Sequence, residues 1–239
     1  MTELLFLEDC YAREFNAEVV QNNKGYLLLN KTLFYGRSGG QPGDTGILKT
    51  SEGKEVKVLD TRKEQGELRH YVEEETTVGT KVHGIIDWER RYKLMKMHTA
   101  QHLLSAIILD KYGAETVGNQ IHEDYSRVDF KPFKPTQEVL EEIVKEFNKA
   151  VEENKRVWFE TVSREEMLEK VDEKRRKLFE KLPSFIKQVR LVHIEGIDIC
   201  PCAGTHVKST SELGFIKITD VQGKGKETTR IKYALINPV

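Results

Sequence analysis

The chain has 239 residues, 38% of them hydrophobic and 32% charged, with 38 Lys and Arg against 39 Asp and Glu. A formal charge of −1 provides no global field to gather a polyanion, so any nucleic-acid contact has to come from local patches. No apolar stretch approaches the ~20 residues that cross a bilayer, the start MTELLFLEDCYARE lacks the regions of a signal peptide, and the three cysteines do not make a disulfide framework, so the expected location is cytoplasmic.

Residues 1–86 alternate short apolar runs with turn residues. Strands are predicted over 18–20, 26–29, 45–47, 56–60, 68–72 and 81–86, separated by Asn22-Asn23-Lys24-Gly25, Ser51-Glu52-Gly53-Lys54 and similar turns. That spacing is typical of a small β-barrel. Between the second and third strands, five glycines fall between Gly36 and Gly46, where glycine serves tight turns or lets a ligand approach the backbone closely.

Asp87 is the predicted N-cap of a helix that runs to Tyr112 and ends at Gly113. Leu94, Met97, Leu104 and Ile108 form its core stripe, with His98 and His102 along one edge. A strand over 126–130, a breaker at Pro132 and Pro135, a helix from Thr136 to about 154 and a strand over 157–162 follow. Ser163-Arg-Glu-Glu166 has capping-box spacing and opens a third helix that ends before Pro183. A strand over 189–194, a turn bearing Cys202 and His206, and an antiparallel pair over 215–219 and 230–236 complete the chain. The expected class is α+β: a β-barrel domain over 1–87, then an α+β domain with antiparallel sheet and packed helices over 88–239. Basic clusters at Arg90, Arg91, Lys93 and Lys96, at 174–177, and at Lys224, Lys226, Arg230 and Lys232 read as solvated faces and do not choose the function.

His98-Thr-Ala-Gln-His102 places two imidazoles at i and i+4 on one helix face, and Cys202-Ala-Gly-Thr-His206 repeats that spacing in a Gly-bearing turn. Together they form a candidate tetrahedral metal site, and imidazole with thiolate suits zinc better than magnesium or calcium. The alternative is a metal-free cluster in which histidine activates Cys202 as a nucleophile. Cys200 could stand in for Cys202, but only Cys202 keeps the i,i+4 relation to His206. Residues 99–101 hold no glutamate, so the general base of the His-Glu-x-x-His peptidases is missing and peptidase activity is disfavoured.

His98-Thr-Ala-Gln-His102-Leu-Leu and Pro201-Cys-Ala-Gly-Thr-His206-Val resemble the two signatures of the editing domain of alanyl-tRNA synthetase and of its free-standing relatives, the AlaX proteins. Ser38-Gly-Gly-Gln-Pro-Gly-Asp-Thr-Gly46 is similar to the glycine-rich motif of the barrel that precedes that domain. The resemblance implies a medium-length AlaX protein, a hydrolase that acts in trans to remove serine, and also glycine, from tRNA(Ala), with no need of ATP. It implies Zn²⁺ on His98, His102, Cys202 and His206 and a catalytic, pocket-lining role for Gln120. A pocket that must spare alanine has to reward the serine hydroxyl with a hydrogen bond, for which Gln120 and Thr205 are the candidates, and Gly39 and Gly40 are candidate backbone contacts to substrate. Arg37, Gln101 and Cys200 depart from the family pattern, which bears on how the glycine loop and the pocket edge handle substrate. Two other readings stay open: a threonyl-type tRNA editing domain, and a non-catalytic, zinc-stabilised tRNA-binding module.

Overall fold

The computed structural model describes residues 2–171, Arg175 and residues 186–237. Its first strands are β1 Glu3–Leu4, β2 Glu14–Asn23, β3 Tyr26–Leu29, β4 Lys31–Thr32, β5 Gly46–Thr50, β6 Glu55–Glu64, β7 Glu67–Val72 and β8 Lys81–Ile86. Helix α1, Trp88–Tyr112, precedes β9 Glu115–Ile121, β10 Ser126–Lys131, α2 Gln137–Glu152, β11 Val157–Ser163 and α3 Arg164–Lys170. The chain closes with β12 Gln188–Ile194, β13 Asp198–Pro201, β14 Phe215–Gly223 and β15 Thr229–Ile236. These elements divide between two units, Met1–Met95 and Lys96–Val239. Among the described residues no helix is long and apolar enough to cross a membrane.

The first unit contains a closed barrel in the order β2-β3-β7-β6-β5-β8, every neighbouring pair antiparallel where a register is formed. Closure leaves no open sheet edge. Alternation fills the interior: Phe15, Ala17 and Val19 point inward from β2 and join Leu27, Leu29, Leu48, Val56, Val58, Val72 and Val82. The β6–β7 hairpin turns through Gln65 and Gly66, with φ of 52° and 81°, the two positive values that a type I′ turn needs. β2 and β6 run well beyond the predicted 18–20 and 56–60, because backbone pairing carries them through polar Asn22, Asn23, Lys63 and Glu64 where hydropathy gives no signal.

A buried ion pair ties the glycine-bearing loop to the start of α1. Arg91 and Asp44 are 0% and 1% exposed. Arg91 Nε donates to both Asp44 oxygens, at 3.0 and 2.9 Å, and Nη2 contacts Oδ2. The remaining donors reach the carbonyls of Leu33 at 2.6 Å and Cys10 at 3.2 Å, and the Tyr35 amide donates to Asp44 at 2.6 Å. Nearby, the Ser38 and Gln41 backbones exchange hydrogen bonds of 3.2 and 2.9 Å across Gly39 and Gly40, whose φ values are +56° and +86°.

In the second unit β14-β15-β10-β9 form a four-stranded antiparallel sheet, and β11-β12-β13 a three-stranded one. The first sheet buries Val128, Phe130, Ile231 and Tyr233, and Tyr233 Oη donates to the Met97 carbonyl of α1 at 2.8 Å. The α+β class and the N-terminal barrel agree with expectation. α1 spans the predicted residues: Asp87 accepts from the Arg90 amide at 3.2 Å, and Gly113, at φ +67°, ends the helix. Its burial reaches beyond the predicted stripe to Met95, Ala100, Leu103 and Ala106, so the helix is packed around most of its circumference.

Thr136 caps α2, and the Ser163 capping box opens α3, as the spacing predicts. The predicted continuation of the third helix toward Pro183 lies outside the described residues, as do three of the four members of the 174–177 cluster. The two-residue strands β1 and β4 of the first unit lie outside the prediction, and so do two strands of the second unit, β9 and β13. Both are sheet edges. Edge strands need only one pairing partner, and Gly118 and Pro201 weaken the local β signal.

Candidate metal centre

The helical period of α1 puts His98 and His102 one turn apart, ring centroids 5.1 Å from one another. Strand β13 delivers the chain to Cys202, and the turn that follows brings His206 back to within 4.4 Å of His98 and 4.7 Å of His102 by ring centroid. Cys202 Sγ lies 3.6 Å from His98 Nε2 and 3.3 Å from His206 Nε2. One ligand atom from each of the four residues falls within 4.8 Å of all the others. The three histidines are buried, with 2 to 6% of their surface exposed, and Cys202 is half-buried.

This packing depends on a missing side chain. A Cβ on Gly204 would stand 2.2 Å from His98 Cε1, so no other residue lets the turn approach the helix this closely. Arg190 on β12 holds the same turn. Its Nη1 donates to the carbonyls of Cys202 at 2.8 Å and Gly204 at 3.1 Å, and its guanidinium stacks 4.1 Å from the Phe159 ring. Thr99 Oγ1 accepts the Val207 amide at 3.2 Å and sits 3.1 Å from His206 Nδ1. A histidine whose Nδ1 is engaged outward presents Nε2 to the cluster.

The electrostatics suit a cation. Burial pushes the Cys202 thiol up, yet His98, His206 and His102 overcome it and hold the group well below its ordinary value; the Gly204 amide donates to the sulfur at 3.3 Å. Burial, with His98 beside it, drives His206 down to about 3, so its imidazole is neutral. His102 moves the other way: burial opposes its protonation, but Cys200 and Asp198 draw it well above the usual imidazole range. A thiolate with three imidazoles is a soft donor set, the chemistry of zinc rather than of magnesium or calcium, and the residues therefore fit such an ion.

Of the other predicted site residues, Thr205 belongs to the ligand turn and the rest lie elsewhere. Thr205 is fully buried between Gly204 and His206. Gln120 is on β9; it is exposed and accepts from Arg127 Nε at 2.9 Å. Its neighbour Asn119 points to the opposite face, as alternation requires, and donates to Gln101 on α1 at 3.3 Å. Gln101 and Thr116 both donate to Ser105 Oγ at 2.8 Å, making a half-buried polar chain that starts beside His102. Gly39 and Gly40 are exposed, with open space where a Cβ on Gly39 would project. Cys200 falls in a second group with His102 and Asp198. Sequence reasoning missed Thr99, Asp198, Arg190 and Gly204; the one available signal was an acid placed between two isoleucines at 197–199.

Residues 4–90 match the family model described as tRNA synthetases class II (A), and residues 189–232 match that of the threonyl and alanyl tRNA synthetase second additional domain. Alanyl-tRNA editing protein AlaX-M of Methanosarcina mazei is 41% identical, covering 99% of this chain and 98% of its own. AlaX-M of Methanosarcina acetivorans is 42% identical over 99% of this chain and all of its own. Alanine–tRNA ligase of Pyrococcus furiosus is 37% identical over 98% of this chain, which corresponds to 26% of the ligase. Fold and site together define a barrel-bearing α+β protein with a buried three-histidine, one-cysteine centre. At this identity over nearly its whole length, the chain belongs to the AlaX family.

Proposed function

We propose that this chain is an aminoacyl-tRNA deacylase acting in trans on tRNA(Ala) that carries the wrong amino acid, serine foremost and glycine as well, with Zn²⁺ held by His98, His102, Cys202 and His206. The observation that carries this reading is the convergence of the four donor atoms within 4.8 Å from two remote segments. Relatives that bear the name alanyl-tRNA editing protein support the substrate class. In this reading the domain over 88–239 houses the chemistry and the barrel over 1–87 accompanies it.

The ion, when bound, supplies positive charge that orients or polarises the group it meets. Cys202 and the histidines fix where that charge stands, and Arg190 keeps their turn from relaxing. With their lone pairs engaged on the ion, the four donors would not be free to take a proton, so they contribute by holding the ester in register with water. Serine differs from alanine by a hydroxyl, and a site that rewards this group with a hydrogen bond discriminates strongly. The chain Asn119, Gln101, Ser105 and Thr116 is the polar wall we assign to it. Thr205, fully buried, acts by bracing the ligand turn; Gln120 meets substrate on the solvent side of β9, and the exposed Gly39–Gly40 turn offers backbone to the tRNA.

Deacylation of Ser-, Gly- and Ala-charged tRNA(Ala) and of Ser-charged tRNA(Thr), with metal analysis on the same sample, tests the proposal. Ser- and Gly-tRNA(Ala) are hydrolysed, Ala-tRNA(Ala) is spared, and His102→Ala loses zinc and hydrolysis together. A zinc-free His102→Ala protein that still cleaves Ser-tRNA(Ala) refutes the metal role. Preference for the tRNA(Thr) substrate replaces the alanyl reading with the threonyl one, and zinc-loaded protein inert on every substrate leaves a binding module.

A further inference from the structure

Behind the candidate ligands runs a chain of charge that the proposed chemistry does not use, exposed at Asp110 and buried at Arg175 and Asp198. Asp110, about two turns beyond His102 on α1, accepts from Arg175 Nη1 at 3.1 Å and Nη2 at 3.2 Å. Arg175, whose side chain is 6% exposed, also donates from Nε to Asp198 Oδ1 at 2.9 Å and from Nη2 to the Ile197 carbonyl at 3.0 Å. The second Asp198 oxygen stands 3.6 Å from His102 Nδ1.

Each link constrains the next. The Asp198 side chain is only 9% exposed, and a carboxylate withdrawn from water to that extent needs a partner, which Arg175 supplies. With Oδ1 engaged, Oδ2 is left facing the imidazole. The ring nitrogen that faces a carboxylate carries the hydrogen, so the lone pair resides on the other nitrogen and ring rotation is resisted.

A competing use exists, because His102, Asp198 and Cys200 also bring ligand atoms within 4.8 Å of one another. A guanidinium 2.9 Å from Asp198 makes that position hostile to a second cation. We propose that Asp198, held by the Arg175–Asp110 pair, is a positioning residue for His102, fixing its tautomer and ring plane so that Nε2 is presented to the metal centre. The inference rests on the metal reading above.

Wild type, Asp198→Asn, Asp110→Asn and Cys200→Ser are titrated with Zn²⁺ against a chelating indicator. The visible spectra of their Co²⁺ forms are recorded beside circular dichroism. Asp198→Asn is expected to bind one equivalent about 10- to 100-fold more weakly, the usual loss when a ligand's outer partner is removed, with displaced Co²⁺ bands and unchanged secondary structure. Asp110→Asn gives a smaller loss in the same direction, and Cys200→Ser gives none. Wild-type affinity and spectrum in folded Asp198→Asn overturn the inference. If that variant fails to fold, an unaltered Asp110→Asn does the same. Equal losses of stoichiometry in Asp198→Asn and Cys200→Ser would make Asp198 a ligand and also overturn it. A wild type that binds no metal instead overturns the metal reading itself.

Discussion

Both units bury polar groups, and they satisfy them in opposite ways. In the first, Arg91 faces Asp44 and two carbonyls, and His70 lies between Thr32 Oγ1 at 2.9 Å and the Leu27 carbonyl at 3.2 Å. In the second, a sulfur and three imidazoles, all able to offer lone pairs, converge on one another. A matched pair is a folding device, complete in itself. Converging acceptors are incomplete until a cation joins them, and that incompleteness marks a site.

The contrast is broken most directly by removing metal. Chelation is expected to abolish deacylation and to lower stability by about 4 kcal/mol relative to metal at 1,000 times its Kd, while chelator leaves the Asp44 and His70 interactions intact; a melt and an activity assay on one sample check both. Arg91→Ala does the reverse. It strands a buried carboxylate and is expected to cost about 3 to 5 kcal/mol of stability without changing metal affinity, read by denaturant unfolding and zinc titration.

The third test concerns His70, which burial holds at about 4 despite its bond to Leu27. Its folded value lies below its unfolded value, so the unfolded chain binds the extra proton. Its contribution is therefore complete above pH ~6.5 and falls as pH drops toward 4, by up to about 3 kcal/mol. His70→Asn should flatten that slope in urea unfolding measured across the window; an unchanged slope would assign the acid sensitivity to other groups.

What could be read in advance followed from local chemistry. Asp87 and Gly113 bound α1 through capping, and the two i,i+4 pairs are visible because ligands one helical turn apart leave a trace in spacing. Partners joined only by folding leave none. Arg91 and Asp44 are 47 residues apart, and nothing near either announces the other. Arg91 looked like a member of a solvated basic cluster, yet it is fully buried. Arg175 was silent for the same reason, Asp198 left only the trace of an acid between two isoleucines, and Asn119 became distinct from Gln120 only once β9 gave the strand two faces.

Gly204 carries a consequence for how such a protein can vary. The turn and α1 meet where the smallest possible side chain would already overlap the His98 ring at 2.2 Å. A one-carbon change there separates sulfur from imidazole without touching either. Helix and turn are thus locked to a common spacing, and drift in one is tolerated only if the void between them keeps its shape.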